Sequence, residues 1–237
     1  MRDISGRSDI AGRLRRALVA PMVLAGVLAG AAQAAEYAAI DPPQPGAFED
    51  AVEVREFFAY TCPHCFELEG ELHAWSEALP GHVRVNRTPV VFSDRFEPLA
   101  RAWYVIDALQ LGHEVHVALF EAFHEQGRRL ESRDAIREVF VERGVDAARF
   151  DAAYDSFGVR SRVRQARQAA RDYRIASVPT LAVDGRYMTN ASMTGGHARL
   201  LEVVTELAER RARERGLAGG ESTAQQPASA TARAMKS

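Results

Sequence analysis

Both cysteines of this 237-residue chain lie in one tetrapeptide, Cys62-Pro63-His64-Cys65. Four kinds of chemistry use two cysteines at this spacing: a structural disulfide, a zinc site, covalent haem attachment and dithiol–disulfide exchange. A structural disulfide is the first alternative for a secreted protein. A bridge across so short a loop, however, gives the least stabilisation by chain entropy.

The other two alternatives need partners that the sequence does not offer. A zinc site needs about four ligands; there is no second cysteine pair, and His64, His73 and His82 are not spaced as in zinc fingers. Haem attachment requires a histidine directly after the second cysteine, where this chain has Phe66. The pattern therefore favours a redox-active dithiol, and the structural disulfide and the zinc site remain as weaker alternatives.

Pro63 predicts where the two sulfur atoms lie. A residue before proline avoids the helical region, and proline is favoured at the first helical position. Cys62 is therefore expected at the helix N-cap, where backbone N–H groups and the positive end of the helix dipole stabilise a thiolate. Cys65 is expected one turn further along and better buried. Cys62 would then attack, and Cys65 would resolve.

A low pKa of Cys62 would make the disulfide a donor rather than a reductant. If the pKa fell from about 8.5 to about 4.5, the reduced form would gain about 3.4 kcal/mol at pH 7, or about 75 mV toward the oxidising side. Two interpretations of His64 stay open: an ordinary exposed side chain, or a cation or N–H donor that lowers the pKa of the Cys62 thiol further.

Two positions far from each other in the sequence also have alternative interpretations. Pro179 follows Val178 directly before a strand, and an X-Pro bond is cis in only about 5% of cases, so an ordinary trans turn is the default. Glu56 lies in a strand beside Phe57 and Phe58. It is either a solvated glutamate at a sheet edge, or a buried and therefore costly carboxylate that accepts a proton from Cys65.

The elements that must position these residues follow from their periodicity. Residues 51–60 are rich in β-branched and aromatic side chains and predict a strand, residues 62–78 have helical spacing, and residues 82–92 predict a second strand. Five segments then carry apolar residues at helical spacing, namely 98–111, 114–126, 133–143, 147–157 and 159–173. Asp184-Gly185 predicts a type I′ hairpin, and residues 196–215 predict an amphipathic final helix.

N-cap residues and glycines predict the ends of these helices. Ser132 and Asp146 are expected to be N-caps. Four glycines, each after an apolar-periodic segment, are expected to end helices: Gly112, Gly127, Gly144 and Gly158. Sheet elements lie on both sides of the helical block, so the block is interpreted as an insertion.

The two ends of the chain predict a compartment and a tail. Three arginines up to Arg16 precede an apolar run that ends at Ala32-Gln33-Ala34, which is typical of a secretory signal peptide cleaved after Ala34. A retained membrane anchor is the weaker alternative, since the run is short. The mature chain would then begin at Ala35 in a disulfide-permissive space. Residues 216–237 are poor in apolar mass and predict a disordered tail.

The charge of the chain excludes one class of partner. The formal net charge is −2, and the sequence has no block of basic residues. A nucleic-acid binder would need such a block, so no nucleic-acid partner is expected.

The tetrapeptide, with "EFF" before it, a helical block after it and Val178-Pro179-Thr180 before a hairpin, resembles the thiol:disulfide interchange proteins of the DsbA family, in the thioredoxin superfamily. The resemblance covers about residues 52–206. It implies an α/β fold: a thioredoxin-like domain of residues 35–93 and 161–215, interrupted by an all-helical domain of residues 94–160.

The resemblance also implies roles for single residues. Cys62 resembles the exposed nucleophile, Cys65 the resolving thiol, and Pro63 and His64 the filler residues, of which His64 is the electrostatic activator. Position 179 matches the cis-proline that helps to present the substrate backbone, and Val178 the position that tunes the redox pair.

Glu56 matches the buried acid of the family. Where a lysine often neighbours that acid, this chain has Arg87, and an arginine cannot release a proton.

The activity implied is oxidation of reduced, unfolded proteins entering the periplasm, followed by reoxidation by a quinone-coupled membrane oxidase of the DsbB type. No cofactor or metal is implied. A monomer is expected, since no dimerisation segment is recognised in residues 35–51. A periplasmic reductant or isomerase, and a non-catalytic peptide-binding chaperone with incidental cysteines, are the alternative functions.

Overall fold

A mixed β-sheet carries the cysteine segment. The structure, a computed structural model, describes residues 35–217. Its strands are β1 (Ala38–Ala39), β2 (Val52–Phe58), β3 (Val83–Pro89), β4 (Thr180–Val183) and β5 (Tyr187–Thr189). They form one sheet in the order β1-β5-β4-β2-β3, in which only the β2–β3 pair is parallel.

Strand β2 lies inside the sheet and leads directly into the cysteines. Both of its faces are buried, so its β-branched and aromatic side chains find apolar partners on each side. Val54 packs in a cluster with Leu68 and Leu200, whereas Phe57 packs against Tyr173 on the opposite face. The predicted strand at residues 51–60 is thus confirmed with slightly shorter bounds.

Eight α-helices lie within the described residues. They are α1 (Pro63–Glu77), α2 (Glu97–Ala108), α3 (His113–His124), α4 (Arg133–Glu142), α5 (Ala147–Tyr154), α6 (Phe157–Asp172), α7 (Ala191–Thr194) and α8 (His197–Glu214). Helices α1 and α8 share the cluster that covers one face of the sheet. The order of the other elements agrees with the order that the periodicity predicts, whereas β1 and α7 are not predicted.

Helix ends follow the expected capping residues in part. Ser132 and Asp146 accept hydrogen bonds from the N–H groups of Ala135 and Arg149, which confirms both as N-caps. Gly144 follows α4 with φ +81, as a glycine after a helix C-terminus does.

The prediction is wrong for two glycines. Gly112 is the N-cap of α3, because Gln110 (φ +51) supplies the left-handed residue after α2. Gly158 lies inside α6, because Ser156 caps that helix by accepting from the N–H of Val159.

The turn between β4 and β5 is the predicted hairpin. Asp184 and Gly185 have φ values of +50 and +63, as a type I′ turn requires. A Cβ atom at position 185 would lie 2.0 Å from the carbonyl O of Gln44. Glycine is therefore required at this position by both the backbone conformation and the close approach of another segment.

One apolar core joins the helical block to the cysteine segment. It contains buried side chains from all five helices α2 to α6, together with Phe58, Tyr60 and Cys65. Helix α6 runs through the predicted domain boundary at residue 160 without a break. The division into domains at residues 94 and 160 stays a prediction.

Two of the predictions concern segments outside the described residues. These are the signal peptide, residues 1–34, and the tail from residue 218 onward. Between residues 35 and 217, none of the helices combines the length and apolar character needed to cross a bilayer.

Candidate active site

The start of α1 holds both cysteines. Cys62 is the N-cap residue, with extended backbone angles (φ −92, ψ 118), and Pro63 is the first helical residue. Both are free thiols; Cys62 is half-buried and Cys65 is fully buried. The predicted N-cap and N1 positions are thus confirmed, and the two sulfur atoms occupy different environments.

The environment of Cys62 lowers the pKa of its thiol to about 6. The main cause is a hydrogen bond from the Cys65 thiol, burial opposes it, and the backbone N–H groups of Cys65 and His64 contribute less. The prediction that backbone N–H groups cap the Cys62 sulfur is wrong, because the side chain of Cys62 makes no N-cap hydrogen bond.

The two cysteines differ strongly in acidity. Burial, followed by the hydrogen bond to Cys62, raises the pKa of Cys65 far above its ordinary value. For Cys62, a pKa of about 6 in place of 9.0 stabilises the reduced form at pH 7 by at most about 1.4 kcal/mol, since water screens a half-exposed thiolate. This free energy corresponds to a shift of the reduction potential of about 30 mV toward the oxidising side. The shift is smaller than that expected for a pKa of about 4.5, because burial of Cys62 opposes its ionisation.

His64 is an exposed side chain with a modest electrostatic effect. Its Nδ1 atom lies 2.9 Å from Oε2 of Glu67, and this contact raises the pKa of the imidazole. The charge of His64 is the smallest of the named causes that lower the pKa of Cys62. His64 is therefore an exposed side chain, as the first interpretation expects, and its charge also lowers the pKa of Cys62 slightly, as the second expects.

The segment before β4 faces the sulfur of Cys62. The peptide bond between Val178 and Pro179 is cis. In its protonated form, the Cys62 thiol donates to the carbonyl O of Val178, with Sγ and O 3.3 Å apart across 116 residues of sequence. The fold thus brings Val178 and Pro179 to the cysteine pair, and the default of a trans turn is wrong.

Glu56 lies in the sheet beneath the cysteines and is 1% exposed. The Nε atom of Arg87 lies 3.3 Å from its Oε2 atom, which has no regular hydrogen-bond partner among the described residues. Burial raises the pKa of Glu56 to about 7, although the charge of Arg87 opposes the shift. The solvated alternative for Glu56 is therefore wrong, and Arg87 does pair with it.

A buried chain of polar groups continues from Arg87. Its Nη1 atom donates to Oε1 of Glu69 at 2.7 Å, and Oε2 of Glu69 lies 3.2 Å from Nε2 of His116. The Nδ1 atom of His116 lies 2.6 Å from the hydroxyl of Tyr60. These contacts link β3, α1, α3 and the segment just before Cys62.

Electrostatics fix the direction of these hydrogen bonds. Burial lowers the pKa of His116 to about 4 and holds that of Tyr60 well above its ordinary value, so both are neutral at pH 7. Burial opposes ionisation of Glu69 too, but the hydrogen bond from His116 and the charge of Arg87 outweigh it and lower the pKa. Because a carboxylate only accepts, Nε2–H of His116 donates to Glu69, and Tyr60 O–H donates to Nδ1.

The sequence patterns miss Glu69, His116 and Tyr60. A signal exists for Glu69, since it lies four residues after Cys65 in α1 and so on the same helix face. His116 gives no such signal, because it lies between apolar residues that predict an ordinary buried face. Within residues 35–217, no cluster of three or more His, Cys, Asp and Glu side chains has the arrangement of a metal site.

Comparison with known proteins gives three kinds of similarity. The chain matches the family described as "DSBA-like thioredoxin domain" over residues 53–208. A thiol:disulfide interchange protein DsbA of Bordetella parapertussis is 38% identical over 175 residues, which cover 73% of this chain and 83% of that protein. The protein of the same name from Burkholderia cepacia is 34% identical over 205 residues, covering 81% and 97%.

Solved structures extend the similarity to the fold. The crystal structure of Pseudomonas aeruginosa DsbA has a TM-score of 0.73 at 29% identity and covers 76% of this chain and 95% of that one. The oxidoreductase DsbA of Xylella fastidiosa has a TM-score of 0.68 at 32% identity, covering 76% and 96%. The predicted thioredoxin-like fold with added helices is confirmed.

Proposed function

The chain belongs to the family of DSBA-like thioredoxin domains and is a thiol:disulfide oxidoreductase; on that premise we propose that Cys62 and Cys65 form its redox-active pair and donate their disulfide to secreted proteins. The observation that carries this proposal is the asymmetry of the pair. One sulfur is accessible and acidic at the start of a helix, and the other is buried one turn below it.

The transfer takes two exchange steps. A substrate thiolate attacks Cys62 Sγ, the bond between the two cysteines breaks, and Cys65 leaves and takes up a proton. A second substrate thiolate then attacks the substrate sulfur of the mixed disulfide, and Cys62 leaves as a thiolate. The substrate gains a disulfide, and the enzyme accepts two electrons. The lowered pKa of Cys62 favours this outcome, since a more stable thiolate leaves faster.

The surrounding residues have supporting roles in this proposal. Pro63 sets the first turn of α1, His64 adds positive charge near Cys62, and Pro179 with Val178 presents backbone opposite the sulfur. Glu56, whose pKa of about 7 suits both directions of proton transfer, exchanges a proton with Cys65. Arg87 cannot carry that proton.

Reoxidation and location complete the proposal. The reduced pair would pass its electrons to a quinone-coupled membrane oxidase of the DsbB type, with Cys62 attacking and Cys65 resolving. The leader pattern up to Ala34 supports a periplasmic location, because a disulfide donor requires a compartment outside the reducing cytosol.

A redox titration against glutathione tests the direction of transfer. We expect the protein to remain largely reduced in buffers that leave glutathione partly oxidised, and Cys62→Ser to abolish oxidation of a reduced unfolded protein. The Cys65→Ser variant has no disulfide to donate, but its Cys62 thiolate should attack a disulfide-bonded peptide, release one peptide thiol and accumulate as the mixed disulfide, because Cys65 is not there to resolve it. A disulfide more stable than that of glutathione would favour the reductant or isomerase alternative, and full function of Cys62→Ser would favour the chaperone.

A further inference from the structure

A groove with a volume of about 420 Å³ lies between the chain that follows β3 and the C-terminal end of α6. Its walls combine apolar side chains with guanidinium groups. We call it the Arg171 groove, and it is bounded by Val90, Val91, Phe92, Arg171, Arg174 and Ile175. The Phe92 side chain at its edge is 58% exposed.

Residues of the Arg171 groove share neighbours with the segment that holds Cys62. Thr61, the residue before Cys62, lines one small cavity together with Val90 and Phe92. Val178, whose carbonyl O is 3.3 Å from Cys62 Sγ, packs against the same buried cluster as Val90 and Ile175. A peptide whose cysteine reacts at Cys62 therefore has this groove within reach of its neighbouring residues.

The groove carries positive charge that the described part of the chain does not neutralise. Arg171 and Arg174 are exposed and form no ion pair with any carboxylate between residues 35 and 217. The guanidinium of Arg171 donates a hydrogen bond to the amide O of Gln168. Arg167, which also lines the groove, is paired with Asp94 at 2.6 Å and Glu97 at 2.8 Å. The net charge available to a ligand is thus that of Arg171 and Arg174.

We propose that the Arg171 groove binds the part of the substrate next to its reacting cysteine and selects an acidic side chain there. This specificity rests on the proposed function. A guanidinium pairs with a carboxylate through two parallel hydrogen bonds, and the wall of Val90, Val91 and Phe92 offers apolar contact to the adjoining residues. Exposed ion pairs are individually weak, so the effect is a preference in rate among substrates.

The test uses three reduced dithiol peptides that are identical except for one residue beside the first cysteine, which is Glu, Gln or Lys. We expect the oxidised protein to oxidise the Glu peptide about fivefold faster than the Gln peptide at low salt. The Lys peptide should be the slowest, and the difference should vanish at about 1 M salt because the charges are screened. In Arg171→Gln/Arg174→Gln, the ratio of the Glu rate to the Gln rate should fall to about one.

The matched control removes two charges from the same helix outside the groove. Arg160 and Arg164 are exposed, and the guanidinium of Arg164 lies over the ring of Phe157. We expect Arg160→Gln/Arg164→Gln to keep the preference for the Glu peptide. Loss of the preference in this control, or equal rates for all three peptides with the unaltered protein, would overturn the proposed groove.

The outcomes also separate this inference from the function on which it rests. Oxidation of all three peptides at one rate removes only the role of the groove. Failure to oxidise any of them, with a disulfide that glutathione does not reduce, removes the proposed function and the groove together.

Discussion

At the scale of single residues, the proposed exchange rests on the difference between the two thiols. Cys62 has a lowered pKa and faces the carbonyl O of Val178, whereas Cys65 is buried and has a strongly raised pKa. The thiolate charge therefore belongs to Cys62 at neutral pH. It stabilises the reduced protein but has no counterpart in the disulfide form.

This difference predicts how the reduction potential changes with pH. The pKa of Cys62 is lowered, so its stabilisation of the reduced form is fully present above about pH 9 and is lost as the pH falls through about 6. Below the pKa of Cys62 two protons accompany two electrons, and above it only one. The potential should therefore fall by about 59 mV per pH unit below pH 6 and by about 30 mV above it.

Titration against glutathione over the range from pH 4 to pH 8 measures this slope. His64→Ala should raise the pH at which the slope changes only slightly, because the charge of His64 is the smallest of the named causes that lower the pKa of Cys62. Glu56→Gln should leave the change of slope near pH 6 in place, which would show that this change comes from the thiol of Cys62. A single slope up to pH 8 would contradict the prediction.

Glu56 predicts a pH dependence of stability. Its pKa is raised from 4.5 to about 7 by burial, so its contribution to stability is fully present below pH 4.5 and is lost as the pH rises through 7. Glu56→Gln removes this titration. The variant should therefore match the unaltered protein near pH 4.5 and exceed its free energy of unfolding by up to about 3 kcal/mol above pH 7.

Urea unfolding of both proteins between pH 4.5 and pH 8 measures this difference. Glu67→Gln is the control, because Glu67 is exposed on the same side of the molecule as the cysteines. It should show little change across the range. A constant offset between Glu56→Gln and the unaltered protein at every pH would show that burial does not shift this carboxyl group.

At the scale of secondary structure, the polar chain through Arg87, Glu69, His116 and Tyr60 fixes three elements around the site. It joins β3, α1 and α3 through side chains that are separated by up to 56 residues in the sequence. Glu69 receives the stronger contact of Arg87, at 2.7 Å against 3.3 Å for Glu56. This division leaves Glu56 incompletely paired, so the charge of Arg87 does not offset the burial that raises the pKa of Glu56.

His116 is expected to be the critical member of that chain. His116→Leu leaves the Tyr60 hydroxyl and one oxygen of Glu69 without a partner, which should cost about 2–4 kcal/mol at pH 7 in urea unfolding. His116→Gln can still donate and accept and should recover most of that loss. His82→Leu, a change at a partly buried histidine elsewhere, should alter stability by under about 0.5 kcal/mol.

The response to acid distinguishes the hydrogen bonds of His116 from its volume alone. The pKa of His116 is lowered from 6.5 to about 4 by burial, so the stability that it supplies is present above pH 6.5 and is lost as the pH falls through 4. His116→Gln lacks this titration and should lose less stability on acidification. Equal losses in both proteins would mean that His116 does not stay neutral in the fold.

At the scale of the whole molecule, the helical block and the sheet share a core beside the cysteine pair. Phe58, Tyr60 and Cys65 pack in one cluster with side chains of α2 to α6. Trp103 of α2 donates to the carbonyl O of Arg87 in β3 at 3.2 Å. Removal of the helices would therefore expose the apolar surface beneath Cys65.

The shared core predicts one cooperative unfolding transition. The chain has two tryptophans, Trp75 in α1 and Trp103 in α2. Trp75→Phe leaves Trp103 as the fluorescent reporter of the helical block. Trp103→Phe leaves Trp75 as the reporter beside the sheet. In each variant the fluorescence midpoint in urea should equal that from circular dichroism, and a separate, earlier transition of Trp103 would show that the helical block unfolds alone.

The sequence by itself determined what depends on neighbouring residues. Pro63 defines the start of α1 and so the place of Cys62, Ser132 and Asp146 begin their helices, and Asp184-Gly185 forms the hairpin. Each of these features rests on steric limits or hydrogen bonds within about four residues. The family motif around the cysteines extended this local information to the fold and to the chemistry.

Only the tertiary structure decided how distant side chains meet. The burial of Glu56, its sharing of Arg87 with Glu69, and the neutral state of His116 depend on three elements that pack together. The Arg171 groove depends in the same way on the approach of α6 to the end of β3. Desolvation and charge coupling act through space, and periodicity along a chain reports only the face on which a side chain lies.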